Sequence, residues 1–236
     1  MSSVTPSPVA ENLAGAALSM ARRFAAGGTM WCLSPRWPAH GRHVAVEFVH
    51  PVIVGKRALP AVHVEASDIV STVRLLARPG DIVLAVGPAG DDRVGRVLRR
   101  ADAWGLTGVW IGTGPRPDPG AADHVIWVDD ADPEMPARSG ELVLLYHLLW
   151  ELTHVVFEHP GLLEVPVGCT DVVCVTCSDE GRLAEIVEVH DGSVAEVLAA
   201  GAHEAVDVSL VDAVRPGDLV LVHAGVAITA LPETGR

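Results

Sequence analysis

Pro79-Gly80-Asp81-Ile82-Val83-Leu84-Ala85-Val86-Gly87 decides the fold. A Pro-Gly turn leads into a run of five apolar residues, and a glycine closes it. A half-exposed strand would carry a polar residue at every second place. This run has none, so it reads as a strand buried on both faces. Thr107-Gly108-Val109-Trp110-Ile111 repeats the pattern, and Ala61-Val62-His63-Val64 and His124-Val125-Ile126-Trp127-Val128 read as further strands. Helical stretches lie around them. In residues 9–26, Leu13, Ala17, Met20 and Phe24 fall at helical spacing, and Gly27-Gly28 stops that helix. Residues 39–50, Ser67 to Ala77, Asp91 to Trp104 and the long apolar segment Gly140 to Glu158 are the other helices. Buried strands alternating with helices of ~10–15 residues predict an α/β fold with a doubly wound parallel sheet. Ligands of such sheets bind beyond the carboxyl ends of the strands. Here those ends are the loops at 34–42, 87–92 and 112–120.

His159-Pro160-Gly161 ends the long helix, and the pattern then changes to period two with short turns. Val172 to Thr176, Leu183 to Val189, Val194 to Leu198, Ala205 to Val211 and Leu219 to Ile228 read as strands, with Asp191-Gly192 as a hairpin signal. Five short strands predict a small closed β-barrel of the OB type. The expected organisation is an α/β domain over 1–158, a linker over 159–168 and a barrel domain over 169–236.

Composition sets the outer limits. The 236-residue chain is 49% hydrophobic and carries a net charge of −13. No basic stripe interrupts that acidity, which argues against a nucleic-acid partner. Its apolar runs fall short of the ~20 residues that span a bilayer, so no membrane partner is expected. Met1-Ser2-Ser3-Val4-Thr5-Pro6-Ser7-Pro8 lacks the charged and apolar regions of a signal peptide, and the expected location is cytoplasmic. Thiols stay reduced there, so the four cysteines read as buried, metal-binding or reactive. Cys32, in Met30-Trp31-Cys32-Leu33, reads as buried.

Cys174-Val175-Thr176-Cys177 opens the C-terminal module, and Gly217-Asp218-Leu219-Val220-Leu221-Val222-His223-Ala224-Gly225-Val226-Ala227-Ile228 closes it. Thiolate and imidazole are both metal ligands. A lone C-x-x-C is equally a pair of buried strand cysteines, a redox motif or half of a zinc site. Likewise His223 alone reads as a core histidine. Over residues 173–233, however, these stretches together resemble the HypC/HupF/HybG family of nickel–iron (NiFe) hydrogenase maturation chaperones. In that family a cysteine directly after the initiator Met is the essential ligand, and a histidine stands in the last strand. The resemblance places Cys174 and His223 in those positions, with Cys177 as a second thiolate. It implies a transient iron centre bearing cyanide and carbonyl ligands at Cys174. It also implies two partners, a hydrogenase large-subunit precursor and a HypD-type scaffold protein. Two departures stand out: Cys174 is internal, and Cys177-Ser178-Asp179 replaces the family's Ile-Pro.

The N-terminal module carries a second constellation. His43 and Glu47 lie four apart, and His147, Glu151 and His154 fall at i, i+4 and i+7 on the long helix. Each set shares a helical face, and His50 repeats the His-x3-Glu-x2-His spacing. An ordinary polar helix face has the same look. The strand–helix order of residues 9–158 resembles the SIS (sugar isomerase) domain, nearest the GmhA-type sedoheptulose 7-phosphate isomerases. Those enzymes bind zinc through a His and a Glu four apart and through a Gln and a His on the last helix. The resemblance puts zinc at His43, Glu47 and His154, with the Gln position at Tyr146 and His147 beside it. It also implies a homo-oligomer formed through these helices. The loop that should cradle a sugar phosphate reads Gly87-Pro88-Ala89-Gly90-Asp91-Asp92. It has no hydroxyl, Pro88 has no N–H, and two carboxylates occupy the helix N-terminus that a phosphate needs. The expected function is therefore a hydrogenase maturation chaperone with no catalytic residues. The alternative is a zinc-dependent sugar-phosphate isomerase or lyase, with Glu47 and His154 as acid and base.

Overall fold

The computed structural model describes residues 8–128, 139–164, 181–190 and 192–231. They divide into two compact units. One takes residues up to Arg99 together with Thr107–Glu164, and the other takes Arg100–Leu106 together with the chain from Val165 onward.

The first unit is built on a five-stranded parallel sheet. Its strands are β1 (Met30–Leu33), β2 (Ala61–His63), β3 (Ile82–Val86), β4 (Thr107–Thr113) and β5 (His124–Val128), in the order β2-β1-β3-β4-β5. All five residues of β3 and all seven of β4 are buried, as their unbroken apolar runs require. The helices are α1 (Pro8–Ala25), α2 (Pro38–Val49), α3 (Ile69–Leu76), α4 (Asp92–Ala101) and α5 (Ser139–Glu158). Helices α1, α2 and α5 bury Met20, Phe24, Val44, Phe48, Tyr146 and Leu149 against Met30, Ile82, Leu84, Val109 and Ile111 of the sheet. By alternation Val83, Gly108 and Trp110 take the other face. There a Cβ on Gly108 would stand 3.2 Å from Leu98 of α4.

Local chemistry sets the ends of these elements. Pro38 opens α2, where its missing N–H costs nothing. Asp68 caps α3 by accepting from Ser71 N–H at 3.1 Å. Gly27 follows α1 with φ 93°, a value that an L side chain resists. At the carboxyl edge of the sheet two tryptophans hold the loops. Trp110 Nε1 donates to Gly87 O at 3.2 Å and Trp127 Nε1 to Gly114 O at 2.8 Å. Their rings meet edge to face at 5.6 Å. Gly112 leaves room for them, since a Cβ there would lie 2.3 Å from Gly87 O and 2.4 Å from the Trp127 ring.

The second unit is a closed barrel of five strands in the order β10-β8-β7-β6-β9. These are β6 (Arg182–His190), β7 (Val194–Ala199), β8 (Ala202–Asp207), β9 (Leu219–His223) and β10 (Val226–Leu231). Ala184, Ile186, Ala195, Val197, Val206, Val220 and Val222 fill it. The fold class holds, and two details differ from expectation. The single strand expected over Leu219 to Ile228 is two strands joined at Ala224-Gly225, whose φ values of 49° and 80° suit a tight two-residue hairpin. The strand expected from Ala205 starts at Ala202, because Ala200-Gly201 makes the same turn with φ 49° and 80°. The expected strand over Val172 to Thr176 lies outside the described residues, and the barrel closes without it.

One buried carboxylate ties the amino edge of the parallel sheet together. Asp81 accepts from Thr29 N–H at 2.8 Å, Trp31 Nε1–H at 2.9 Å and Arg78 N–H at 2.9 Å. Asp81→Ala leaves these three donors without their acceptor. The expected loss is about 3 kcal/mol, read as a lower denaturation midpoint of the α/β unit by tryptophan fluorescence. An unchanged midpoint would show that water replaces the carboxylate.

Candidate functional site

Helices α2 and α5 bring a cluster of polar side chains together over the sheet. His43 and Glu47 sit one turn apart on α2, and His43 Nε2 lies 3.2 Å from Glu47 Oε1. His147 reaches in from α5, with its Nε2 3.3 Å from His43 Nε2 and 3.7 Å from Glu47 Oε1. Tetrahedral zinc with bonds of ~2.0–2.2 Å holds its donors roughly 3.3 Å apart. The three separations are thus those of one face of such a site. The side chains of His43 and His147 are 40% and 44% exposed, so an ion can enter from solvent. Two imidazoles and one carboxylate suit a borderline divalent ion.

A second layer holds the first. Tyr146 Oη lies 2.8 Å from His43 Nδ1 and 3.4 Å from His40 Nδ1. A histidine that gives Nε2 to a metal donates Nδ1–H to such a partner, which fixes its tautomer and ring plane. Tyr146 therefore positions His43 from the place that the family resemblance gives to a Gln. Burial, and then the charge of Glu47, push the Tyr146 phenol up to about 12. Burial, and then His43, push the His40 imidazole down.

His154 is not part of this triangle. It is buried, its Nδ1 lies 2.9 Å from Trp150 O and its Nε2 2.9 Å from Arg57 O. Both ring nitrogens face backbone carbonyls rather than His43 or Glu47. His50 caps the end of α2 and is exposed. The i, i+4, i+7 spacing on α5 is real, but only His147 of that set lies at the triangle, while His154, two turns further on, meets backbone carbonyls instead. Sequence reasoning missed His40 and the role of Tyr146. The three-residue step from His40 to His43, which stacks them on one face of α2, was the available signal for His40.

The loops at the carboxyl ends of β1, β3 and β4 enclose a cleft of about 1060 Å³. Arg36, Arg93, Arg96, Arg99 and Arg116 line it, beside Asp91, Asp92 and Asp118. In a chain of net charge −13 this is a local concentration of guanidinium groups. Asp91 pairs with Arg93, whose Nε lies at 3.1 Å. Arg42 does not join the cleft lining, and it pairs with Glu65 at 2.7 and 2.8 Å.

In the barrel, His223 ends β9 opposite Val226 and is half-buried. Val220 and Val222 point into the core, so alternation turns His223 to the outer side. Cys174 and Cys177 lie outside the described residues, as does Cys169. Cys32 is fully buried, and burial pushes its thiol well up, which makes it a packing residue. Among the described residues, no helix is long and apolar enough to cross a membrane.

Residues 183–235 match the HupF/HypC family. The matched segment covers the barrel from β6 through β10 and includes His223, and it begins after Cys174 and Cys177. A phosphoheptose isomerase from Francisella tularensis has a similar structure, with TM-score 0.54 and 13% identity, covering 61% of this chain and 86% of its own. The phosphoheptose isomerase GmhA from Neisseria gonorrhoeae gives TM-score 0.52 and 17% identity, covering 63% and 88%. At these identities the likeness establishes fold alone. No curated protein sequence matches the chain.

Tyr146 is the single tyrosine of the chain, so its titration can be followed alone. Ultraviolet absorbance should give a tyrosinate midpoint near 12, and Glu47→Gln should lower it by removing the nearby negative charge. The folded phenol holds its proton more tightly than an unfolded one of ~10. Its contribution to stability is therefore complete below ~10 and is lost as pH rises through the folded value. A midpoint near 10 in the folded protein would show that the phenol is not held in this cluster. The chain thus joins a five-stranded barrel, whose residues 183–235 match the HupF/HypC family, to an α/β unit whose fold is similar to that of phosphoheptose isomerases.

Proposed function

We propose that the protein is a maturation chaperone for a nickel–iron hydrogenase, which receives or escorts the iron centre on its way to the large-subunit precursor. The observation that carries this reading is the HupF/HypC match over 183–235, on a barrel that places His223 at the outer end of β9. The iron centre with its cyanide and carbonyl ligands is cargo here. Cys174 is the proposed thiolate for it, with Cys177 and His223 as further donors. A HypD-type scaffold and the large-subunit precursor are the proposed partners. Cytoplasmic location and self-association through α2 and α5 complete the proposal. The test is co-purification of the full chain with the precursor or the scaffold. Cys174→Ala should abolish iron carriage and lower active hydrogenase at least tenfold, while His223→Ala should weaken it less. Full hydrogenase assembly with Cys174→Ala would sink the reading.

A second reading follows from the His43–Glu47–His147 triangle, whose edges fit zinc. In it, these three residues hold a divalent ion that supplies Lewis acidity to a sugar-phosphate isomerase or lyase, and the arginine-lined cleft takes the phosphate. Tyr146 orients His43, and Glu47 is the carboxylate within reach of a proton. Zinc-dependent turnover of a ketose phosphate, lost in His43→Ala, would support it. Zinc retention without such turnover would leave the triangle a binding site in a chaperone.

A further inference from the structure

The outer face of the barrel carries a second cluster of metal-ligand type, and its position depends on one extra residue. Strand β6 starts with Ala184 and Ile186 in the core. Strict alternation would put Glu188 and His190 inside with them. The β6–β7 register shifts between Ile186 and Glu188, so Val187 forms a bulge with no opposite residue on β7. Parity reverses beyond it. Val189 packs on the core, and Glu188 and His190 turn outward together.

The new register sets Glu188 directly opposite Glu196 of β7. Facing carboxylates on adjacent strands repel. Two histidines flank them: His190 Nδ1 lies 3.9 Å from Glu188 Oε1, and His203 Nδ1, on β8, lies 2.6 Å from Glu196 Oε1. Donor atoms of Glu188, His190 and Glu196 all lie within 4.8 Å of one another. A tetrahedral ion needs them roughly 3.3 Å apart, given bonds of ~2.0–2.2 Å. The side chains of Glu188, His190 and Glu196 are 66%, 48% and 39% exposed, so core packing does not lock their rotamers. The strands hold the backbone fixed.

We propose that Glu188, His190 and Glu196 form a divalent transition-metal site on the barrel, with His203 positioning the Glu196 carboxylate. One imidazole and two carboxylates select a borderline ion such as zinc over magnesium or calcium, which take all-oxygen sets. The ion neutralises the facing carboxylates, and His203 acts as the outer partner that orients a ligating group. Its proposed donors include neither Cys174 nor any residue of the His43 triangle.

The test is zinc titration of the full chain, stripped of metal, against a chromophoric chelator. Glu188→Gln/His190→Gln should bind one equivalent fewer than the parent. His203→Gln should keep the equivalent but weaken it roughly tenfold. His43→Ala and Cys174→Ala should leave this equivalent in place. Zinc should also raise the barrel's melting temperature in the parent and not in the double variant, a readout that separates lost binding from lost folding. Unchanged stoichiometry in Glu188→Gln/His190→Gln overturns the proposal. So does equal stabilisation by magnesium, which would mark a diffuse acidic surface rather than a site.

Discussion

Burial of β3 and β4 on both faces is the constraint on which the α/β unit depends. No residue of either strand tolerates water, so helices must cover the sheet above and below. On one face that demand packs α1, α2 and α5 over a shared apolar floor. Phe48, Tyr146 and Leu149 are buried in this layer, and the helices they belong to cannot slide without opening it. The polar triangle is a consequence. His43 and His147 meet because the apolar residues one turn away on each helix are pinned to the sheet. Tyr146 belongs to both layers, since its ring is core and its hydroxyl holds the His43 ring.

The barrel obeys a different constraint, the two-residue alternation of its strands. One bulge at Val187 reverses that alternation, and the reversal decides which side chains meet water. Before it, β6 places Ala184 and Ile186 inside. After it, the same strand presents a glutamate and a histidine outward and keeps Val189 against the core. The hairpin turns rely on a comparable economy. Ala200-Gly201 and Ala224-Gly225 both hold an alanine at positive φ, a conformation that costs an L side chain energy and that the tight two-residue turn requires.

These points explain what the sequence could and could not convey. Apolar runs and helical spacing were enough for the five helices and for β2 to β5, because burial leaves a one-dimensional trace, whereas Met30–Leu33 read only as a buried apolar run and is the strand β1 between β2 and β3. The Ala-Gly turns left none, since alanine is a poor turn signal and Leu219 to Ile228 looks continuous without them. The triangle was half legible. His43 and Glu47 share a helix, so spacing alone aligned them. Which α5 residue would face them depended on where α5 crosses α2, and that is a packing property. His154 had the right spacing for the family pattern and lies instead between two backbone carbonyls. The bulge at Val187 has no residue signature at all.

The α/β unit also separates two properties that a metal-dependent isomerase needs together. It brings three metal donors to zinc-like distances, yet the loop after β3 offers an anion little from its backbone. Pro88 lacks an N–H, and Asp91 and Asp92 hold the start of α4 with negative charge. The arginines around the cleft supply positive charge by side chain, but Asp91 already engages Arg93. Backbone amides have fixed positions, whereas a guanidinium group sits at the end of a long side chain that can take several rotamers. A cleft of this kind recognises charge more than it holds one phosphate at one place. Precise placement is what isomerisation of a sugar phosphate requires. On that physical ground the first unit is better built to hold charge and a metal ion than to fix one phosphate in place.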